Sequence, residues 1–407
     1  MKEKKNENQL SIEQIITQKH RGKNVELDIN DAYLTHHLQS KNDSFFRDKA
    51  NEYAHTLIKE SGEDLDATDL KKIKPQEYFL PIQAPFQSIT KPKFKFIDLF
   101  AGVGGFRMAL QNVGGKALFS SEFENNAKFT YAKNYGEVPF GDITKDEIKA
   151  AIPAEFDILC GGFPCQAFSI AGHRKGFSDT RGTLFFDIEK IVETHMPKVV
   201  FLENVKNLLT HDKGNTYRVI KEILEKKLNY VVYEKVLNSM THANVPQNRE
   251  RIFIVAFDPT RVPNHADFTF PEPIKLTRTI HDILEPGKQE DKYYYKENHM
   301  YYPELDRTMR SVDTLYQWRR VYVRENKNNV CPTLTANMGA GGHNVPLVRD
   351  EFGIRKLTPR ECFSFQGYPK DFVISPVLAD SKLYMQAGNS VTMPLVQRIA
   401  EKIVEVL

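Results

Sequence analysis

From position 94 onward, short apolar runs alternate with segments in which apolar residues recur at helical spacing. The first run, 94–100, predicts a buried strand that ends at Ala101-Gly102-Val103-Gly104-Gly105, and a helical pattern follows directly. Further strands are predicted at 117–119, 156–160, 199–202, 231–236 and 251–257, and helices at 183–195 and 216–227. Strands that alternate with helices predict an α/β fold with a doubly wound, largely parallel sheet.

The residues before position 94 have a different pattern, mostly polar and helical. Segments 10–16 and 45–58 carry apolar residues at helical spacing, and the proline-bearing stretches 75–85 and 91–93 predict a linker. Two interpretations of this N-terminal extension remain open. The favoured one is a small helical cap on the main domain, and the other is a DNA-contacting or regulatory appendage.

The alternation of strands and helices stops at about position 258 and helical patterns return after position 353. The intervening segment is rich in proline and tyrosine and predicts a smaller, irregular domain with short strands. A final helix over 393–407 has one apolar face, which predicts that it packs on the large domain. We therefore divide the chain into four parts in sequence order. They are an N-terminal extension (1–93), the first segment of a catalytic domain (94–275), an insert (276–356), and a hinge with the C-terminal segment that completes the catalytic domain (357–407).

The composition indicates no particular function, but it argues against a zinc site, a disulfide framework and a membrane span. The chain of 407 residues is 41% hydrophobic and 27% charged, which is ordinary for a globular protein, and its net charge of +3 says little about a polyanionic partner. Its four cysteines lack the spacing of zinc ligands or of a disulfide framework. No stretch reaches the roughly 18 apolar residues of a membrane span. We expect a cytoplasmic protein without a metal.

The glycine-rich turn after the first strand suggests a nucleotide-binding fold. It fails the dinucleotide fingerprint G-x-G-x-x-G, because Arg107 stands at the third glycine position, and this disfavours a nicotinamide-dependent oxidoreductase. Acidic residues end the next two strands and can bind ribose hydroxyls and an adenine amino group, although each could instead cap a helix. An adenosine without a pyrophosphate, as in S-adenosylmethionine, would suit this set: Asp98, Phe100, Gly102, Gly104, Glu122 and Asp142.

A thiol and a carboxylate follow two other predicted strands. Cys165 lies in Gly161-Gly162-Phe163-Pro164-Cys165-Gln166, and Glu203 lies in Glu203-Asn204-Val205. The acid would raise the pKa of the thiol, so the pair suits a hydrolase poorly. It suits sulfur attack on an electron-poor ring whose nitrogen is held by the acid. Arg249 and Arg251 could stabilise the thiolate and the substrate, or they could form a surface charge pair. The alternative for Cys165 is an inert buried cysteine.

Six segments in this order resemble the DNA (cytosine-5)-methyltransferases of the compact bacterial restriction-modification type. They begin with the glycine turn and the cysteine and Glu-Asn-Val segments and continue with Gln247-Asn248-Arg249-Glu250-Arg251. The last two are Arg355-Lys356-Leu357-Thr358-Pro359-Arg360-Glu361-Cys362 and Gln386-Ala387-Gly388-Asn389-Ser390-Val391. The resemblance covers about Phe94 to the C-terminus.

The resemblance implies a mechanism and a cofactor. A cytosine is flipped out of the duplex, Cys165 attacks C6 while Glu203 engages N3, and C5 receives the methyl group of S-adenosylmethionine, leaving S-adenosylhomocysteine. Arg249 and Arg251 complete the implied catalytic set. The implied cofactor set adds further residues to the one above: Ala101, Gly105, Phe123, Ile143, Asn389, Ser390 and Val391.

The resemblance also implies double-stranded DNA as the partner. A mobile loop after Cys165 would close over DNA, and the insert would be the target-recognition domain, favouring a short GC-rich palindrome. We expect a monomer and a cognate restriction endonuclease that forms no stable complex with it. The alternatives are an RNA cytosine-5 methyltransferase and a catalytically silent DNA-binding regulator. The predicted DNA contacts are Ser169, Arg174, Arg181, Arg319, Arg320, Arg324 and Thr335.

Overall fold

The computed structural model describes residues 9–22, 26–40, 45–62, 74–164, 184–340 and 344–407. Its centre is a six-stranded sheet with the strand order β2-β1-β3-β4-β6-β5. The strands are β1 (Phe94–Leu99), β2 (Gly115–Ser120), β3 (Ile158–Gly162), β4 (Val199–Val205), β5 (Val231–Asn238) and β6 (Glu250–Phe257).

The sheet is mixed rather than parallel throughout. Strands β1 to β4 pair in parallel, whereas β6 is antiparallel to both of its neighbours, β4 and β5. The connection between β5 and β6 contains the short helix Ser239–His242 and the two-residue strand Gln247–Asn248, which pairs in parallel with Cys331–Pro332. Because a parallel crossover needs a dozen or more residues, the chain returns beside β5 in the opposite direction. The expected sheet is thus largely parallel with one reversed strand.

Helices cover both faces of the sheet. Alternate residues of β1 enter different apolar clusters, with Phe96 on one face and Ile97 and Leu99 on the other. The expected α/β architecture with two covered faces is confirmed. Among the described residues from 105 onward, the α-helices are Gly105–Asn112, Asn125–Tyr135, Asp146–Lys149, Leu184–His195, Asn215–Glu222, Ser239–His242, Tyr302–Thr308, Pro359–Phe365, Asp380–Asn389 and Met393–Val406.

The described part of the N-terminal extension packs against the large domain, as the helical-cap interpretation expects. Its apolar residues join the cluster that also contains Phe94, Phe96 and Phe129. The stretch predicted as a linker is structured: Phe79 is 1% exposed, and Phe79–Leu80 pairs in parallel with Leu10–Ser11. The helices of this region are Ile12–Arg21, Ile29–Gln39, Arg47–Glu60 and Pro75–Tyr78.

A separate antiparallel sheet lies within the predicted insert, with the order β8-β7-β9-β10. Its strands are β7 (Tyr316–Arg319), β8 (Tyr322–Glu325), β9 (Leu347–Asp350) and β10 (Gly353–Lys356). They enclose a small apolar cluster that includes Leu305, Met309 and Tyr316. The short strands and irregular connections that the sequence predicts here are confirmed.

The C-terminal helix Met393–Val406 returns to the large domain and packs on Gly105–Asn112. Its predicted apolar face is buried, with Leu395, Ile399 and Ile403 at most 1% exposed. Among the helices described here, none is long and apolar enough to cross a membrane.

Candidate active site

A cleft of about 630 Å³ opens where β1, β3 and β4 end, and the C-terminal segment closes its other side. Twelve of the predicted cofactor and catalytic residues that the structure describes line this cleft together with Arg249 and Arg251. They are Phe100, Ala101, Gly102, Gly105, Glu122, Phe123, Asp142, Ile143, Glu203, Asn389, Ser390 and Val391.

The floor of the cleft is the glycine turn. Phe100, Gly102 and Gly104 all have positive φ, at 55°, 56° and 85°. A Cβ atom at Gly104 would overlap the ring of Tyr135, whose hydroxyl donates a 2.7 Å hydrogen bond to the Gly104 carbonyl. Unlike glycine, Phe100 carries a side chain that disfavours positive φ, so its left-handed conformation is uncommon for a bulky residue. The turn therefore brings bare backbone to the surface of the cleft.

Glu122 stands at the rim directly after β2. Its Oε2 accepts a 2.8 Å hydrogen bond from the Gly102 N–H, and its Oε1 accepts one of 2.8 Å from the Glu124 N–H. Burial raises the pKa of this carboxyl above its usual value. The next residue, Phe123, is 73% exposed, so a flat aromatic face lies beside the acid. At the end of the following connection, Asp142 Oδ1 accepts from the Thr144 N–H and hydroxyl.

The cleft also offers polar atoms to a ligand. Within the described chain, Ser121 Oγ and Gln386 Nε2 are buried without a hydrogen-bond partner, and both residues line the cleft. An exposed phenyl ring, a rim carboxylate and such donors fit a nucleoside with hydroxyl and amino groups. The residues present therefore fit S-adenosylmethionine.

Two residues of the predicted cofactor set do not line the cleft, namely Asp98 and Gly104. Asp98 lies in β1 beneath the turn, is 1% exposed, and has Oδ1 3.8 Å from the Cys160 sulfur. Burial raises the pKa of Asp98 to about 8, so its neutral form dominates at pH 7. Because β1 continues to Leu99 before the chain opens into the cleft, Asp98 does not line the cleft in this structure, and its contact with a cofactor stays a prediction.

The carboxylate predicted for catalysis ends β4. Glu203 is 8% exposed, and its Oε1 lies 3.0 Å from Nε of Arg251. Its register partner on β3 is Gly162, where an added Cβ would lie 3.3 Å from Glu203 Oε2. Phe163 and Pro164 continue from Gly162 along the same cleft. The chain thus reaches the residue before Cys165 within the cleft that Glu203 lines.

Asn204 is a residue of the site whose role the sequence did not indicate, although it stands in the quoted Glu-Asn-Val segment. Its Nδ2 donates a 2.8 Å hydrogen bond to the Phe163 carbonyl, and its Oδ1 accepts one of 2.8 Å from the Val205 N–H. Its side chain is 2% exposed. Asn204 therefore fixes the backbone that leads into Cys165.

Four predicted site residues, Cys165, Ser169, Arg174 and Arg181, lie outside the described residues.

Arg249 differs from Arg251 in its surroundings. Its guanidinium donates to three backbone carbonyls, at 2.7 Å to Leu334, 2.6 Å to Ser390 and 3.3 Å to Gly388. Burial lowers the pKa of this group to about 9. The side chain thus links the C-terminal segment to the segment that follows the small sheet.

The predicted base-reading arginines lie on the hairpin of β7 and β8. Gln317 Oε1 accepts hydrogen bonds from Arg319 and Arg324, and Arg320 occupies the turn with φ of 50°. Thr335 lies apart from this hairpin, against Gly388 of the C-terminal segment, and its hydroxyl contacts Asn337. The structure therefore separates Thr335 from the three arginines.

Over the described ranges, no group of three or more His, Cys, Asp or Glu side chains could hold a metal.

Comparison with known proteins connects this geometry to a family. Residues 94–405 match the family model of the C-5 cytosine-specific DNA methylases. The type II methyltransferase M.Bsp6I of Bacillus sp. (strain RFL6) is 50% identical over 310 residues, which are 75% of this chain and 97% of that protein. M.HpaII of Haemophilus parainfluenzae is 45% identical over 343 residues, covering 78% of this chain and 91% of its own.

A solved structure supports the fold. The Dnmt2 methyltransferase of S. pombe superimposes with a TM-score of 0.58 at 18% identity, covering 77% of this chain and 98% of that one. The family model and the relatives together support the activity as well. The chain belongs to the C-5 cytosine-specific DNA methylase family and is a DNA (cytosine-5)-methyltransferase of the restriction-modification type.

Proposed function

We propose that this enzyme methylates C5 of a cytosine that is flipped out of duplex DNA into the described cleft, through a covalent bond between Cys165 and C6. The observation that carries the proposal is the position of Glu203. Its carboxylate, paired with Arg251 at 3.0 Å, faces the strand that leads through Phe163 and Pro164 to Cys165. A cytosine ring can enter this cleft and meet the Glu203 carboxylate only when it has left the duplex, as enzymes that modify a base generally require.

The proposed steps conserve atoms and charge. The Cys165 thiolate forms a bond to C6, and the electron pair of the C5–C6 double bond moves towards C5 while Glu203 holds N3. S-adenosylmethionine, when bound, would supply the methyl group: a bond forms between C5 and the methyl carbon, the bond from that carbon to the sulfonium sulfur breaks, and S-adenosylhomocysteine leaves. Loss of the C5 proton to a base then expels the Cys165 sulfur and restores the double bond. A free thiol with a pKa of roughly 8.5 provides a minor thiolate fraction at neutral pH, which suffices for a bound substrate.

The residues that would hold the cofactor are those with fitting chemistry in the cleft. Glu122 would accept from ribose hydroxyls, Phe123 would cover one face of the adenine, and Asp142 would meet its amino group. Asn389, Ser390 and Val391 would close the opposite side. We infer that Arg251 keeps Glu203 oriented, and that Arg249 holds the two closing segments rather than the substrate.

Methylation sequencing of a plasmid propagated with and without expression of this chain tests the proposal. One enriched motif with 5-methylcytosine, present only upon expression, is the expected result and also identifies the target. Plasmid DNA without any mark would contradict it.

Asn204 offers a test of how the nucleophile is positioned. Replacing Asn204 with Ala removes the hydrogen bond to the Phe163 carbonyl, so the segment leading to Cys165 loses a fixed geometry. We expect kcat to fall by about ten- to a hundredfold, because a displacement near 1 Å has an effect of that order. The Kd for S-adenosylmethionine, measured by calorimetry, should change less than about twofold. An equal loss in cofactor binding would contradict this role.

The turn of the β7–β8 hairpin carries a separate indication of function. Val321 N–H donates to the Arg319 carbonyl at 2.5 Å, so Arg320 is the central residue of a γ-turn with positive φ. Such turns are rare and strained, and two-residue hairpin loops with positive φ at the first position favour glycine there. Val321 is nevertheless 84% exposed. Strain together with an exposed apolar tip favours a function for these two side chains, and we propose that they read base edges in the major groove.

Replacing Arg320 with Gly and Val321 with Asn separates folding from recognition. The double variant places glycine at the position with positive φ, so the Tm should stay the same or rise. Methylation of the natural site should fall at least about tenfold, since each lost base contact costs roughly 1–3 kcal/mol. Phe352→Ala is the matched control. It lies in the β9–β10 turn, at the opposite end of the same sheet according to the strand register, and should leave the rate unchanged.

A further inference from the structure

The N-terminal extension contacts both helices that carry the cofactor side of the cleft. Helix Gly105–Asn112 begins directly after the glycine turn, and helix Asn125–Tyr135 begins just after Glu122 and Phe123. The family match begins at residue 94, so the extension lies outside it. Its contacts with these two helices are therefore a property of this chain that the family assignment leaves unexplained.

One set of contacts lies at the start of helix Asn125–Tyr135. The Leu27 N–H donates to Asn125 Oδ1 at 2.9 Å, and Lys128 Nζ donates to the Leu27 carbonyl at 2.5 Å. His20 Nε2 lies 3.2 Å from Asn126 Oδ1, and its ring stacks on Phe129 with centroids 4.3 Å apart. These partners occupy the first turns of the helix, immediately after the rim residues of the cleft.

A second set lies at the other end of the helix and is buried. His36 Nε2 of the extension lies 3.5 Å from Glu137 Oε2; because His36 Nδ1 donates to the Ala32 carbonyl at 2.9 Å and burial lowers the pKa of the imidazole, this is a packing contact rather than an ion pair at neutral pH. Glu137 pairs with the fully buried Arg107 of the first helix. Arg107 also donates to the Tyr131 hydroxyl at 3.0 Å. The ring of Tyr135 lies tilted against Tyr131, with centroids 4.6 Å apart, and its hydroxyl donates to the Gly104 carbonyl. A series of buried contacts thus connects His36 to the helix that follows the glycine turn.

We propose that the extension is a positioning element of the cofactor site, in which His20 and His36 hold the two helices that present Glu122 and the glycine turn to S-adenosylmethionine. The inference rests on the proposed function, because it takes the cleft as the cofactor site. The contacts at both ends prevent the helix Asn125–Tyr135 from rotating or sliding against β2. A binding group that is loose by a fraction of an ångström loses much of its affinity, so the extension sets the cofactor Kd.

The test uses the full chain and its affinity for S-adenosylmethionine. In the His20→Ala/His36→Ala double variant, we expect the calorimetric Kd to rise about fivefold or more, within the range for mutations that couple to a site without touching the ligand. The KM for the cofactor should rise in parallel, while kcat at saturation and the Kd for duplex DNA measured without cofactor stay within about twofold. Each single variant should give a smaller rise, which keeps the test available if the double variant does not fold.

Tyr53→Phe is the matched control. Its hydroxyl bonds Asp31 at 3.0 Å and Lys19 at 2.6 Å, all inside the extension, so its loss weakens the extension without touching the cofactor helices. The control should lower the Tm and leave the cofactor Kd unchanged. An unchanged Kd in the folded histidine variants would overturn the positioning role. Failure of the wild-type chain to bind S-adenosylmethionine would instead overturn the proposed function, and the inference with it.

Discussion

Cys165→Ser is expected to lower methyl transfer by a factor on the order of 10⁴ or more, because a serine hydroxyl is scarcely ionised at neutral pH and is a poor nucleophile towards C6. The variant should still bind duplex DNA, since the thiol supplies no contact to phosphates. Transfer of labelled methyl groups from S-adenosylmethionine to DNA measures the loss, and a gel-shift titration measures the retained binding. Turnover near the wild-type rate would remove Cys165 from the mechanism.

A second cysteine provides the control for this variant. Cys362 is buried in helix Pro359–Phe365, and burial raises the pKa of its thiol well above the usual value, so it is an inert side chain. Cys362→Ala should lower the Tm somewhat through lost packing and leave the specific rate of methyl transfer within about twofold. A large loss of rate in both variants would indicate a general sensitivity to cysteine replacement.

Glu203→Gln is expected to slow the chemical step by about 10²- to 10⁴-fold with the fold intact. The amide oxygen can still accept a hydrogen bond from Arg251 Nε, so the local geometry and the Tm should be retained. The negative charge and the capacity to share a proton with N3 are lost, which removes the assistance to sulfur attack on C6. Single-turnover measurements at saturating DNA and cofactor isolate this step from product release.

Glu250→Gln is the matched control, because Glu250 is a neighbouring glutamate on the same strand as Arg251 but the mechanism uses no atom of its side chain. Its carboxylate pairs with Lys206 at 3.0 Å on an exposed part of β6. An exposed ion pair of this kind contributes at most about 1 kcal/mol to stability. The control should therefore keep the wild-type single-turnover rate. A near-normal rate in Glu203→Gln would contradict the assignment of this carboxylate to N3.

Much of the fold could be predicted from the sequence because its strands are buried on both faces. The predicted runs 94–100, 199–202 and 251–257 correspond to Phe94–Leu99, Val199–Val205 and Glu250–Phe257. A buried strand between glycine turns and amphipathic helices is recognisable locally. The direction of β6 was not predictable in the same way, since it depends on how the short connection after β5 closes in space.

The parts of the site that could not be predicted depend on distant segments. Arg249 and Arg251 stand two residues apart and look equivalent in sequence, yet Arg251 meets Glu203 and Arg249 meets carbonyls of residues 334, 388 and 390. Asp98 is an acidic residue at the expected position, but its side chain is buried in β1 beneath the glycine turn and does not line the cleft. Local sequence patterns do not show which distant segments of the chain come into contact in the folded protein.

The return of the C-terminal segment to the cleft has a consequence for the newly synthesised chain. The helix Met393–Val406 covers the helix after the glycine turn, and Val391 and Ser390 contact Gly105. Domains form progressively as the ribosome extends a chain, but here Gly388 and Ser390, two of the acceptors of Arg249, are translated long after the sheet that they join. The cleft of the nascent protein therefore stays incomplete until this segment has emerged, and a product that ends before residue 390 should not transfer methyl groups.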